Sequence, residues 1–485
     1  MKRRAVLFAI AFVALFVAGC AHYPVNARLG DAGAAAPYRF PAMVLDRPDP
    51  ADELFVCLSF SGGGTRAAAL AYGALVALRD TDIGRGDTPK ALLDEVDCIA
   101  GISGGAFTAA YYGLFGKATF EEFYPAFLAR DIQGELALRA LNPINLVRLG
   151  SPYFGRIDLA AELYDETVFK TRTFEALAAR PRPFIILHAT NMANGGRFQF
   201  TQDEFDLMRS DLGPLPVARA VAAASAFPFL LSPLTLESFP APENFPVPTE
   251  VRNGLEHREL NWARYTWARH RMDLINLPKP GEPVARGKWV HLLDGGLSDN
   301  LGLRSLLDAY DRDFIRQRIN AGHVKRLVVI AVNARTDAPE HVSAEERAPG
   351  LGSVFMKTTT VSMESVSFDT LDYAVNRQNE REQAQANVRV CNENLKACGA
   401  QPLPTMARDV RTCFVEIDFD TLPSPDREWF LSLPTTFALP EESVKRLIDV
   451  AGRLLNASGD FQKLLRALRN EPSLGTGVGE RGNCS

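Results

Sequence analysis

Short, nearly continuous apolar runs separated by longer helical patterns fill the middle of the chain. "LFVCLSF" (54–60), "EVDCIA" (95–100), "FIILHAT" (184–190), "WVHLLD" (289–294) and "RLVVIAVN" (326–333) do not alternate polar with apolar residues. Strands of that kind are buried on both faces, as in a parallel sheet covered by helices. Stretches such as "TRAAALAYGALVALR" after the first run and "GGAFTAAYYGLF" after the second read as helices, so the rhythm predicts βαβ units and an α/β fold beginning near residue 52. Two parts break it. Residues 228–288, with "PFLLSPLTLESFPAPENFPVP" and "NWARYTWARHRMDLINLPKP", are too long for an ordinary connection and read as an insertion in a domain spanning 52–340. Beyond it, "SVFMKTTTVSMESVSFDTLDYAVNRQNERE" predicts a long helix, "CFVEIDFD" a strand and "PEESVKRLIDVAGRLL" a helix. No linker sets these apart, so residues 341–485 are expected to pack on the same core as a C-terminal extension, with the tail "EPSLGTGVGERGNCS" frayed.

The N-terminus follows a different logic. "MKRR" and the 14-residue apolar stretch "AVLFAIAFVALFVA" make residues 1–19 an export signal, too short to span a bilayer. Val17-Ala18-Gly19-Cys20 resembles the lipobox of bacterial lipoproteins, in which the cysteine thiol receives diacylglycerol. Cys20 would then be the lipidated first residue, and Ala21 after it implies outer-membrane sorting in a bacterial envelope. A plain signal peptide or a membrane anchor with an incidental cysteine is the alternative. Residues 20–51, rich in Pro, Gly and Ala without periodicity, read as a tether.

Composition excludes some classes. With 47% hydrophobic and 23% charged residues the chain is globular, and a formal charge of -5 with no nucleic-acid motif argues against nucleic acid as a partner. Export puts the cysteines in an oxidising compartment. Cys391 and Cys398 are close enough in sequence to close a small loop, while Cys57 and Cys98, inside apolar runs, read as buried thiols. The sequence has no CxxC pair, so a structural metal site is not indicated.

The candidate chemistry gathers at turns. Gly101-Ile102-Ser103-Gly104-Gly105 fits G-x-S-x-G between a strand and a helix, a context that holds a serine hydroxyl out of the sheet at a helix N-terminus. Gly101 and Gly105 flank the turn. Taken alone the motif also describes a serine N-cap in a glycine-rich turn. Gly62-Gly63-Gly64-Thr65-Arg66 is a second glycine turn, whose amides can converge on an oxyanion or a phosphate; it lacks the Gly-Lys-Ser/Thr of a P-loop, and Ala67 breaks any G-x-G-x-x-G. A serine nucleophile needs a base. None of the seven histidines lies in a glycine-rich loop at a strand end, and His188 and His291 sit inside strand-like runs. "HLLDGGLSDNLGL" instead places Asp294 at the end of a strand, before Gly295 and Gly296. At the carboxyl end of a parallel strand that is a catalytic position; the other reading is a turn aspartate, with Asn300 capping the next helix.

These three motifs in this order, with "VARAVAAASAFPFLLSP" (217–233) between serine and aspartate, resemble the patatin-like phospholipases over about residues 52–333. The resemblance implies a three-layer α/β/α fold with a mainly parallel central sheet and a Ser-Asp dyad that hydrolyses lipid acyl esters without a cofactor. On it, Ser103 is the nucleophile and Asp294 its base. The amides of Gly63 and Gly64, with Gly62 shaping the turn and Arg66 near the anion, form the oxyanion hole. The chain departs from the family pattern at Ala67, where a glycine is usual, and at Ser61, where an aspartate is frequent. A phospholipid or lysophospholipid substrate suits a lipid-anchored protein. Trp262, Tyr265 and Trp267 among Arg264, Arg269 and Arg271 would suit a helix at a headgroup interface, or one packed on the domain. An acyltransferase or thioesterase using the same dyad, and a non-catalytic envelope binding module, remain alternatives.

Overall fold

The computed structural model describes residues 21–40, 54–84, 89–277, 287–337, 346–403 and 410–469 with Cys484, less a few single positions. The expected signal peptide and Cys20 lie outside them. The strands are β1 (Ala27–Arg28), β2 (Leu54–Phe60), β3 (Val96–Gly101), β4 (Phe184–Asn191), β5 (Arg197–Gln199), β6 (Ser210–Asp211), β7 (Leu234–Glu237), β8 (Trp289–Asp294), β9 (Arg326–Val332) and β10 (Arg411–Ile417). The helices that bear on the site are α1 (Gly64–Asp80), α2 (Gly104–Phe115), α3 (Ile132–Leu141), α4 (Pro143–Leu149), α5 (Val217–Ala224), α6 (Trp262–Met272), α7 (Leu351–Ala397) and α8 (Glu441–Ala457).

Among the described residues one eight-stranded sheet runs in the order β10-β9-β2-β3-β4-β8-β7, with β5 also on β4. From β10 to β4 every pairing is parallel, whereas β8 is antiparallel to both β4 and β7. The central strands β3 and β4 are buried at every residue, and helices cover both faces in a three-layer α/β/α arrangement. Part of the expected insertion therefore belongs to the sheet, since β7 forms its edge.

The C-terminal segment completes the core. β10 extends the sheet beyond β9, and α8 lies on α1. Gly73 of α1 permits that contact, because a Cβ there would stand 2.3 Å from the Ile448 carbonyl oxygen. Val444, Leu447, Val450, Ala451, Leu454 and Leu455 form the buried stripe of α8 at helical spacing. Leu447→Ala removes a fully buried side chain from that stripe and is expected to cost about 2–5 kcal/mol, read as a lower denaturant midpoint with unchanged slope.

Three expectations are corrected. Residues 21–40 are not a loose tether: β1 pairs with β6, and the Tyr38 hydroxyl donates to the Ile185 carbonyl at 3.0 Å and accepts from its amide at 2.8 Å. The Tyr38 ring stacks on Phe184 at 4.4 Å, so local composition gave way to aromatic burial. Cys57 and Cys98 are buried, as expected, but are not thiols. Parallel pairing of β2 with β3 sets their Cα atoms 4.7 Å apart, and they form a disulfide. Cys391 and Cys398 are instead free and exposed, because α7 runs through to Ala397 and seven helical residues separate them by about 10 Å. Within the expected frayed tail, Cys484 is bonded to Cys413 of β10.

Candidate active site

At the end of β3 the chain turns into α2 through Ser103, whose φ of 47° and ψ of -118° lie outside the comfortable regions for an L-residue. Such a conformation costs on the order of 1–3 kcal/mol and persists only when its surroundings impose it. The glycines show how it is imposed. A Cβ on Gly105 would stand 2.6 Å from the carbonyl oxygens of Phe60 and Ser61, and one on Gly104 only 1.9 Å from the Gly64 carbonyl oxygen. The Ser103 turn and the glycine turn after β2 thus touch backbone to backbone. Gly101 is closed off by its own helix, with a Cβ there 2.8 Å from the Ala106 Cα. Gly104 has the tightest of these approaches and was not among the candidate site residues. Gly104→Ala is expected to displace the Gly64 turn and lower the melting temperature, whereas Gly30→Ala, with nothing within 4 Å, should leave both unchanged in a thermal scan.

Two backbone carbonyls bind the serine to the aspartate. Ala224, at the end of α5, accepts from the Ser103 amide at 3.1 Å and the Gly295 amide at 3.2 Å, and Ala226 accepts from the Asp294 amide at 3.0 Å. This is the role of the "AAASAFP" passage. Asp294 does sit near the carboxyl ends of the parallel strands, but on an antiparallel one: β8 runs back from beyond the carboxyl end of β4 and ends opposite Ala189. The expectation that Asp294 ends a parallel strand is corrected: its strand is antiparallel to β4.

Asp294 is fully buried. Its Oδ1 accepts from the Gly296 amide at 2.8 Å, while Oδ2 is buried without a fully formed hydrogen bond among the described residues. Burial raises the carboxyl to about 7, and the Gly296 amide and the Ser103 hydroxyl, which both favour the anion, offset only part of that rise. The same burial acts the other way on His188: beside Gly101 it is pushed down to about 3 and stays neutral.

The glycine turn offers donors. The Gly62 amide is engaged by the Asn300 carbonyl at 3.0 Å and the Thr65 amide by the Thr436 carbonyl at 2.8 Å. Between them, the amides of Gly63 and Gly64 have no acceptor among the described residues, and neither has that of Gly104. Arg66 is corrected. Its guanidinium does not reach over the site but donates to the carbonyls of Ala334 at 2.9 Å and Leu433 at 2.7 Å and to the Thr435 hydroxyl at 3.1 Å. It clamps the C-terminal segment behind Gly63, and burial lowers it to about 9. Asn300, read from the sequence only as a helix cap, also stands at this turn, where its Oδ1 would lie 2.5 Å from a Cβ on Gly62. Asn300 stands six residues after Asp294, and only the tertiary contact gives it a place at the turn.

The aromatic and basic helix α6 packs on the domain. Trp267 lies under the Arg271 guanidinium, 4.3 Å from its ring centre, and Arg271 pairs with Glu204 at 2.8 Å. Together with His270 and Arg304 they line a cavity of about 430 Å³ that reaches Ser298, while Trp262 remains exposed.

The family model for patatin-like phospholipase matches residues 58–307, more than half the chain and all of this site. The chain belongs to the patatin-like phospholipase family. Solved structures align with it at low identity and low TM-score. Human GIVD cytosolic phospholipase A2 is 13% identical with a TM-score of 0.40, the alignment covering 90% of this chain and 65% of that one. The same human enzyme in complex with methyl gamma-linolenyl fluorophosphonate is 14% identical with a TM-score of 0.36, covering 89% and 63%. VipD from Legionella pneumophila is 11% identical with a TM-score of 0.24, covering 89% and 70%. This chain thus spans somewhat less than two thirds of the human enzyme's length. No curated protein matches it.

Proposed function

We propose that this protein is a lipid acyl hydrolase of the phospholipase A or lysophospholipase type, working through Ser103 and Asp294. The observation that carries the reading is a buried carboxyl raised to about 7 that feels the hydroxyl of a serine held at a strained turn. A carboxylate of ordinary basicity would be a poor partner for a hydroxyl, and this one is poised near neutral pH. As Oγ of Ser103 attacks the ester carbonyl, the Asp294 carboxylate takes its proton. The amides of Gly63, Gly64 and Gly104 face the oxyanion that forms. Collapse of the tetrahedral intermediate expels the lysolipid or glycerol alkoxide, which leaves with the proton from Asp294. Water then attacks the acyl-enzyme, Asp294 accepting its proton and returning it to Ser103 as the fatty acid departs.

Cys20 in its lipobox supports a lipid anchor in a bacterial envelope, which would hold the enzyme beside its substrate. The test is fatty acid release from phosphatidylcholine, phosphatidylethanolamine and lysophospholipid vesicles, beside Ser103→Ala. The variant should fold normally and release nothing above background. A parent protein that releases no fatty acid from any of these lipids, and whose Ser103 is not labelled by a fluorophosphonate, would overturn the proposal.

A further inference from the structure

The short helices α3 and α4 are amphipathic the wrong way round for a surface in water. Leu138, Leu141, Ile144 and Leu146 are exposed by 71%, 68%, 70% and 54%, and α4 buries no residue at all. The neighbouring arginines are paired with the body of the domain: Arg139 with Glu166, and Arg148 with Glu162. Single exposed aliphatics are ordinary, but four within nine residues, with the neighbouring arginines paired, make a patch that calls for an apolar partner.

The packing of residues 21–23 beside α4 points to that partner. The Ser151 amide donates to the Arg148 carbonyl at the end of α4, and the Ser151 hydroxyl donates to the carbonyl of Ala21 at 2.6 Å. The Tyr23 amide donates to the Tyr153 carbonyl at 2.8 Å, and the His22 ring stacks on Tyr153 at 5.3 Å. Ala21 is joined by one peptide bond to Cys20. A lipid on Cys20 would therefore issue from the rim of this patch, with no free tether to let the domain turn away. The same rim leads to the catalytic mouth. Ser232 accepts from the Ile157 amide at 3.2 Å, next to the exposed Phe229 and Leu230, and this segment starts from Ala226, which holds Asp294. No helix among the described residues is long and apolar enough to cross a membrane.

We propose that the aliphatic face of α3 and α4 rests on a phospholipid bilayer, pinned there by the acylated Cys20 and presenting the mouth of the Ser103 site to the lipid. This rests on the reading of Cys20 as a lipidation site. The experiment uses the full chain, produced with its own signal and reconstituted into phosphatidylethanolamine and phosphatidylglycerol vesicles containing doxyl-labelled lipid. In a Cys391→Ser, Cys398→Ser background, a bimane label is placed at Ile144→Cys or, as a control, at Asn456→Cys. Asn456 lies beside Asp82, just past the end of α1 opposite the glycine turn, about 25 Å away. The label at 144 should lose at least half its fluorescence while that at 456 keeps nearly all of it. Mass analysis of the N-terminal peptide separates the two ideas. With acylation present, equal quenching at both sites, or stronger quenching at 456, overturns the docking face and leaves the anchor standing. With acylation absent, the pin is lost, and Leu138→Asp, Leu141→Asp, Ile144→Asp then decides the face: an approximately tenfold loss of vesicle co-sedimentation supports it, and no change overturns it.

Discussion

Asp294→Asn should leave a protein that is nearly inactive and yet more stable at neutral pH. The amide can still accept from Gly296 but cannot take a proton from Ser103, so a loss of roughly 10³- to 10⁴-fold in kcat is expected, comparable to losing a general base from a serine hydrolase. The stability gain comes from burial. The carboxyl is raised from 3.8 to about 7 in the folded state, so the folded protein retains its proton across that window while the unfolded chain loses it. Its contribution to stability is fully present below about pH 4 and is lost as pH rises toward 7, at most about 4 kcal/mol for a three-unit shift. Asparagine never ionises and avoids that loss. Denaturant titration of parent and variant at pH 4 and pH 8 checks this: the two should differ little at pH 4, and the variant should be the more stable at pH 8. A variant equally or less stable at pH 8 would contradict a buried, ionising carboxylate.

The acid limb of the activity profile is the second large effect. If the Asp294 anion is the base, kcat/KM should fall about tenfold per unit below its pKa near 7, reaching roughly a hundredfold loss by pH 5. A histidine base would bring its own acid limb, but His188 is held neutral down to about 3 and cannot titrate in this range. Initial rates on a soluble short-chain ester, with folding checked at each pH, separate loss of catalysis from loss of structure. A profile flat from pH 5 to 8 would show that the active base is an ordinary carboxylate or another group.

Ser103, Asp294 and the glycine turns could be read from the sequence because their chemistry is local. A strained turn needs glycine within two or three residues, and an apolar run before it marks a strand. The continuous hydrophobicity of β2, β3, β4 and β9 likewise announced a sheet covered on both faces. The direction of β8 was not legible. Six residues of strand look alike whether they run up or down, and pairing with β4 and β7 sets the polarity. Arg66 and Asn300 illustrate the same limit. The partners of Arg66 lie 268 to 369 residues away, and the carbonyl of Asn300 accepts from Gly62, a residue 238 positions earlier in the chain.

The cysteines and the N-terminal segment were misread for a related reason. Spacing along the chain favoured Cys391 with Cys398, but a rigid helix holds them apart, while strand register brings together Cys57 and Cys98, which are 41 residues apart. Residues 21–40 have no periodicity because they form no long element of their own. They pack by filling sites already made by β4, β6 and the Ser151 loop, and such sites exist only once the fold is formed. The sequence by itself determined the sheet-forming runs and the glycine-rich turns that carry Ser103 and Asp294, since both depend on residues that are neighbours in the chain. The tertiary structure alone decided strand polarity, disulfide pairing, the ion pairs of α3 and α4 with the domain and the elevated carboxyl of Asp294, since these depend on which distant parts of the chain come together.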